Sequence, residues 1–144
     1  MATANAATDY LEQKVLEFIF KNNSGSFSTP GASIYVGLAT AVSDAEGGSL
    51  TEATFTNYAR QQVNGASNGW TVAQSGGAWT AKNAANIEYP ASGSASAQTI
   101  THCFIADAAS SGNILFIGAL DANKSVGQLD IFRINANNLT IELR

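Results

Sequence analysis

His102 stands beside Cys103, and these are the chain's one histidine and one cysteine. An imidazole next to a thiol is the pairing that could run nucleophilic acyl transfer. Both lie in Thr101-His102-Cys103-Phe104-Ile105, which reads as a strand, and neighbours on a strand point to opposite faces. That geometry denies the base its nucleophile, and Cys103 reads as a small buried hydrophobe. One histidine also rules out a two-histidine zinc site within the chain. Asp44, Glu46 and Glu52 offer oxygens to a Ca²⁺ ion, but their spacing matches no Ca²⁺ loop, and a solvated acidic loop is the better reading. Glu46-Gly47-Gly48 lacks the Lys-Ser/Thr of a phosphate loop. Catalytic, metal-binding and cofactor-binding residues are therefore assigned nowhere.

Three other residues stand out. Trp70 and Trp79 flank a Gly-containing turn; exposed beside a groove they would stack on a sugar, and buried they would be core. Arg60, in Tyr58-Ala59-Arg60, is a cation in a segment otherwise poor in charge. It reads either as one half of a specific ion pair, with an acid on a neighbouring strand or subunit, or as an ordinary exposed strand arginine.

The elements that must position these residues follow from hydrophobic period. Residues 9–21 are the one convincing helix: Leu11, Val15, Phe18 and Ile19 recur at i, i+4, i+7 and i+8. Asp9 and Glu12 make a variant capping box, and Asn22-Asn23-Ser24-Gly25 stops the helix. Leu16 and Phe20 widen the apolar stripe beyond what a surface helix needs. The helix either packs across one end or edge of the sheet or turns Leu16 and Phe20 toward a neighbouring subunit. Strand-like runs follow at 32–38, where Gly37 implies a bulge or close backbone approach, and at 57–63. A polar connection from Thr40 to Phe55 separates them. Trp70–Val72 and Ala78–Ala81 read as a hairpin around Gln74-Ser75-Gly76-Gly77. Asn86–Tyr89 is another strand, and Ala91–Ala97 a low-complexity loop. Four further β-branched runs, at 99–107, 113–120, 129–134 and 139–143, recur at roughly ten-residue spacing.

The fold class is all-β: a jelly-roll-like antiparallel β-sandwich of eight to nine strands with one N-terminal α-helix. The 144 residues form a single domain, with an N-terminal arm at 1–8, the helix at 9–21 and the sandwich at 32–144. A net charge of −4, with lysines and arginines scattered, argues against nucleic acid. The longest apolar run is far short of a spanning helix, and Met1–Asn5 lacks the features of a signal peptide. Only 12% of residues are charged, which suits a protein packed against neighbours in a permanent assembly.

The order of elements also resembles a known group. Ile34-Tyr35-Val36-Gly37-Leu38-Ala39-Thr40, Tyr58-Ala59-Arg60-Gln61, Ile87-Glu88-Tyr89-Pro90-Ala91 and Thr101-His102-Cys103-Phe104-Ile105-Ala106-Asp107 carry the likeness. Gly112-Asn113-Ile114-Leu115-Phe116-Ile117-Gly118-Ala119-Leu120 and Leu139-Thr140-Ile141-Glu142-Leu143 complete it. Together these are similar to small tailed-phage virion proteins, often labelled tail fibre proteins and related to capsid decoration (cement) proteins. The resemblance implies a non-enzymatic virion component, assembled in the bacterial cytoplasm. The first expectation is a homotrimeric decoration protein bound to the major capsid protein; a tail, fibre or baseplate part is the alternative. A carbohydrate- or receptor-binding module ranks below both. The expected subunit interface comprises Leu16, Phe20 and Arg60.

Overall fold

Strand alternation sorts the apolar residues onto two faces of one long antiparallel sheet. The computed structural model describes residues 6–21, 34–64 and 69–143. β1 (Ala6–Ala7) leads into α1 (Asp9–Phe20), followed by β2 (Tyr35–Asp44), β3 (Ser49–Glu52) and β4 (Gln61–Gln62). β5 (Trp70–Ser75) and β6 (Ala78–Asn83) form the expected hairpin. Then come β7 (Ile87–Glu88), β8 (Gln98–Ala106), β9 (Ile114–Val126), β10 (Arg133–Ile134) and β11 (Thr140–Leu143). The main sheet runs β1-β9-β8-β2-β3, with β4 also pairing β2; β11-β6-β5 form a second sheet and β10-β7 a third. All pairings are antiparallel.

On β8, Cys103 and Ile105 point to one face and Phe104 and Ala106 to the other, as the strand period requires. The first face carries the larger core. Val36, Leu38 and Ile100 of the main sheet meet Ile87, Tyr89 and Phe132, with Trp70, Ile134 and Ile141 packed at the margin. The small sheets thus close over the large one, and the result is an all-β sandwich with one N-terminal helix. The second face is smaller: Ala39, Ala45, Phe104, Ala106 and Ile117, with Ala6 alongside. Gly37 pairs with Phe104 across β2 and β8. A Cβ at 37 would clash with the Cζ edge of the Phe104 ring, so this is the close approach that a glycine in a strand implied.

Several boundaries differ from those read in the sequence. The Thr40–Phe55 connection is largely a hairpin, because β2 runs on to Asp44 and β3 returns from Ser49. Asp44 Oδ1 accepts the Gly47 N–H at 3.0 Å, so an acid taken for loop solvation instead shapes the turn. Of the 57–63 run, only Gln61–Gln62 is strand, and of 129–134 only Arg133–Ile134. β9 continues past Leu120 to Val126. There are eleven strands among the described residues, four of them only two residues long, against eight or nine expected. Residues 32 and 33 and the stop at 22–25 lie outside the described residues.

The helix cap is also displaced by one residue. Thr8, not Asp9, is the N-cap, its hydroxyl accepting from the Leu11 N–H at 3.4 Å and donating to Ile114 O at 2.6 Å. Asp9 and Glu12 fall in the first turn, where their charge favours the helix dipole. The Thr8 and Asp9 N–H groups reach Leu115 O (3.0 Å) and Glu46 O (2.8 Å), anchoring the start of α1 between β9 and the β2–β3 turn. No helix among the described residues is long and apolar enough to cross a membrane.

Candidate functional site

The Tyr58-Ala59-Arg60 segment organises the main polar cluster. β3 covers the outer edge of β2 from Ala39 onward, and β4 covers it up to Val36. The gap at Leu38 is filled locally: its N–H donates to the Tyr58 hydroxyl at 2.9 Å, and its carbonyl accepts the Ala53 N–H at 2.9 Å. That hydroxyl donates in turn to Glu52 Oε1 at 2.8 Å. Arg60 grips the same carboxylate with Nε and Nη2, each at 2.8 Å, and its Nη1 donates to the carbonyls of Ala108 and Ser111, also at 2.8 Å. The guanidinium lies 5.0 Å from the centroid of the Phe104 ring. A planar fork of donors meets every demand of this site; a lysine's point charge would not.

Burial and charge act together here. The Arg60 side chain is 5% exposed and that of Glu52 30%. Desolvation alone would raise the Glu52 pKa, but hydrogen bonds from Arg60 and Tyr58 outweigh it and hold the carboxyl below its ordinary value. The Tyr58 phenol is pushed well up, first by burial and then by its hydrogen bond to Glu52. Tyr58 stacks on Tyr89 (centroids 6.0 Å apart), whose own hydroxyl donates to Val36 O at 2.8 Å. This cluster ties the β8–β9 connection to the sheet. Asp107 fastens that connection from within, accepting Asn113 N–H and Nδ2 at 2.7 and 2.8 Å. Of the two readings of Arg60, the structure shows the specific ion pair, made within the chain.

The remaining candidates do not converge. His102 meets the Thr101 hydroxyl at 2.7 Å, and burial lowers its pKa. Cys103 faces the larger core, where burial pushes its thiol up to about 11. An open groove between β9 and residues 130–142 is lined by Phe116, Leu120, Ile131 and Ile134 with Asp121 and Lys124, and His102 is not among its lining residues. No group of three or more His, Cys, Asp or Glu gathers to hold a metal among the described residues. The tryptophans divide: Trp70 is half-buried and donates from Nε1 to Val63 O at 3.0 Å, whereas Trp79 is 60% exposed. Neither the sugar platform with both exposed nor the core with both buried is what the hairpin builds.

Helix α1 carries the largest apolar display. None of its residues is buried; Tyr10 and Leu11 touch the core, while Val15, Leu16, Phe18, Ile19 and Phe20 are 39–79% exposed. Periodicity revealed the stripe and the surplus at Leu16 and Phe20. It could not reveal that the whole stripe beyond the first turn would face outward, because that depends on where Thr8 anchors the helix.

No curated protein sequence matches the chain. The profile of a family described as podophage GP4 fiber I protein gp80 matches residues 6–142, nearly its whole length. On that match the chain is a bacteriophage virion structural protein of the fibre kind, and it belongs to the gp80 fiber I family.

Proposed function

We propose that this protein is a non-enzymatic building block of a phage fibre, attached to a neighbouring subunit through the outward face of α1. The observation that carries this is the helix itself, twelve residues with none buried and five large apolar side chains in the open. At roughly 150–250 Å² for a large side chain, these exposures leave on the order of 500 Å² of apolar surface. That lies at the upper end of what a monomer displays, about 300–600 Å². Leu16 and Phe20, at 56% and 79%, are the central contacts. Arg60 has no part in that surface, since its donors are used within the chain.

Several copies holding one another in this way, as in a trimer, would multiply a modest contact into a durable one. Capsid decoration, in contact with the major capsid protein, would use the same neutral surface and the same helix, and it stands as the second reading. The family description favours the fibre. Copy number in purified particles separates them. A stoichiometry that follows the major capsid protein would overturn the fibre reading, and one that follows the tail would support it. For the helix, Leu16→Asp with Phe20→Asp should leave the thermal unfolding of the monomer unchanged and remove the protein from assembled particles. Normal incorporation of that variant, or its failure to fold, would sink the helix as the attachment element.

A further inference from the structure

β5 is an edge strand, with β6 on one side and no strand pairing on the other among the described residues. The two-residue Gly76-Gly77 loop has both φ angles positive, at 60° and 86°. Such a loop is closed by a hydrogen-bonded pair, here Ser75 and Ala78. Alternation from that pair directs the main-chain groups of Ser75, Ala73 and Thr71 toward β6 and those of Gln74, Val72 and Trp70 away from it. The Thr80 hydroxyl donates to Ala73 O at 3.0 Å, on the side this assigns.

Edges of this kind are normally blunted by lysine, proline, an inward charge or a bulge. β5, Trp-Thr-Val-Ala-Gln-Ser, has no charge and no proline, and its six pairs with β6 run without a register shift. Trp70, Val72 and Gln74 share a face with Asn83, Ala81 and Trp79, and Ile141 follows Ala81 on β11. No residue in these rows ionises, and Val72 and Trp79 are 65% and 60% exposed.

We propose that β5 pairs antiparallel with β5 of a second copy of this chain, about a two-fold axis through Val72. Trp70 then lies opposite Gln74 of the partner, and Val72 opposite Val72. An isologous contact requires a surface that tolerates itself, and this one does. The apolar row Ile141-Ala81-Val72 is continued by the same row of the second copy, and two three-stranded sheets become one of six. Such an edge falls short of the roughly 800 Å² per partner of a standard interface. It therefore acts where copies are already concentrated, as in a fibre. The contact is separate from α1, so either can fail without the other.

Cysteine pairing in the full chain tests this. Opposed residues of a hydrogen-bonded antiparallel pair have Cα atoms about 5.5 Å apart, within the roughly 4.4–6.8 Å range of a disulfide. Val72→Cys should form a disulfide-linked dimer under mild oxidation. Thr71→Cys alone should not, because 71 lies opposite 73, but a mixture of Thr71→Cys and Ala73→Cys should. Cys103 is buried and does not compete. The pattern should survive, at lower yield, in the Leu16→Asp/Phe20→Asp background. Val72→Pro removes an outward N–H and spares the β6 ladder, so it should abolish concentration-dependent dimerisation in that background. Equal cross-linking at 71 and 72, none at 72, or undiminished dimerisation of Val72→Pro would overturn the proposal.

Discussion

Tyr58 and Arg60 act two residues apart on different parts of the same problem. Tyr58 satisfies a main-chain N–H that neither β3 nor β4 reaches, and Arg60 holds two carbonyls of the β8–β9 connection. Tyr58→Phe should cost about 1–2 kcal/mol by stranding the Leu38 N–H, measured as a shift in the urea midpoint. Glu52 gives the pH signature. Its folded pKa is depressed, so its contribution is complete above the ordinary value of 4.5 and is lost as pH falls through the lower, folded value. Acid should therefore weaken the protein as pH falls below the ordinary value, and Glu52→Gln should flatten the slope of urea titrations below about pH 5. Gly37→Ala forces a methyl against the Cζ edge of the Phe104 ring and should destabilise by about 1–3 kcal/mol, read from the melting temperature. Arg60 was visible in the sequence as an odd charge, and Gly37 as an odd glycine. Their partners were not, since Glu52 sits on a strand that composition disguised as a polar loop, and the Ala108 and Ser111 carbonyls leave no mark in a sequence.

Among the elements, α1 depends most on a single side chain. Thr8 is 2% exposed and serves the helix and β9 with one hydroxyl. Thr8→Ala should cost about 1–2 kcal/mol and speed amide exchange across Asp9–Glu12, which hydrogen-exchange measurements resolve. The element types were legible wherever the period was strong: the helix, the Gly76-Gly77 hairpin, β8 and β11. Bounds were less legible where a short strand is defined by its partner: β4, β7 and β10 keep only two residues each of the runs read at 57–63, 86–89 and 129–134. β9 was underestimated because Asp121-Ala122-Asn123-Lys124-Ser125 lacks apolar alternation, yet its far end is secured by pairing Val126 with Gln98. The acid-capped turn at Asp44–Gly47 hid a hairpin for the converse reason, a polar strand end next to glycines.

At the scale of the whole molecule, sparse charge, strand rhythm and an over-wide helix all point to an assembly unit from the sequence alone. The sandwich explains why. Both faces of the long sheet bury apolar residues, so the large apolar side chains left in the open gather mainly on α1, with Val72 and Trp79 on the β5–β6 hairpin and Leu129 and Ile131 before β10. Where those surfaces point was not legible, because it follows from long-range pairing. The partners Ala6–Ala7 and Phe116–Ile117 stand far apart in the chain. A ribosome making about 5–20 residues per second needs roughly 5–20 s to get from one to the other. Throughout that interval β1 has no strand to join and Thr8 no carbonyl to hold. The apolar helix α1 thus emerges well before the strand that fixes it in place, so crowding of nascent chains on one message would favour contacts between helices before any sandwich has closed.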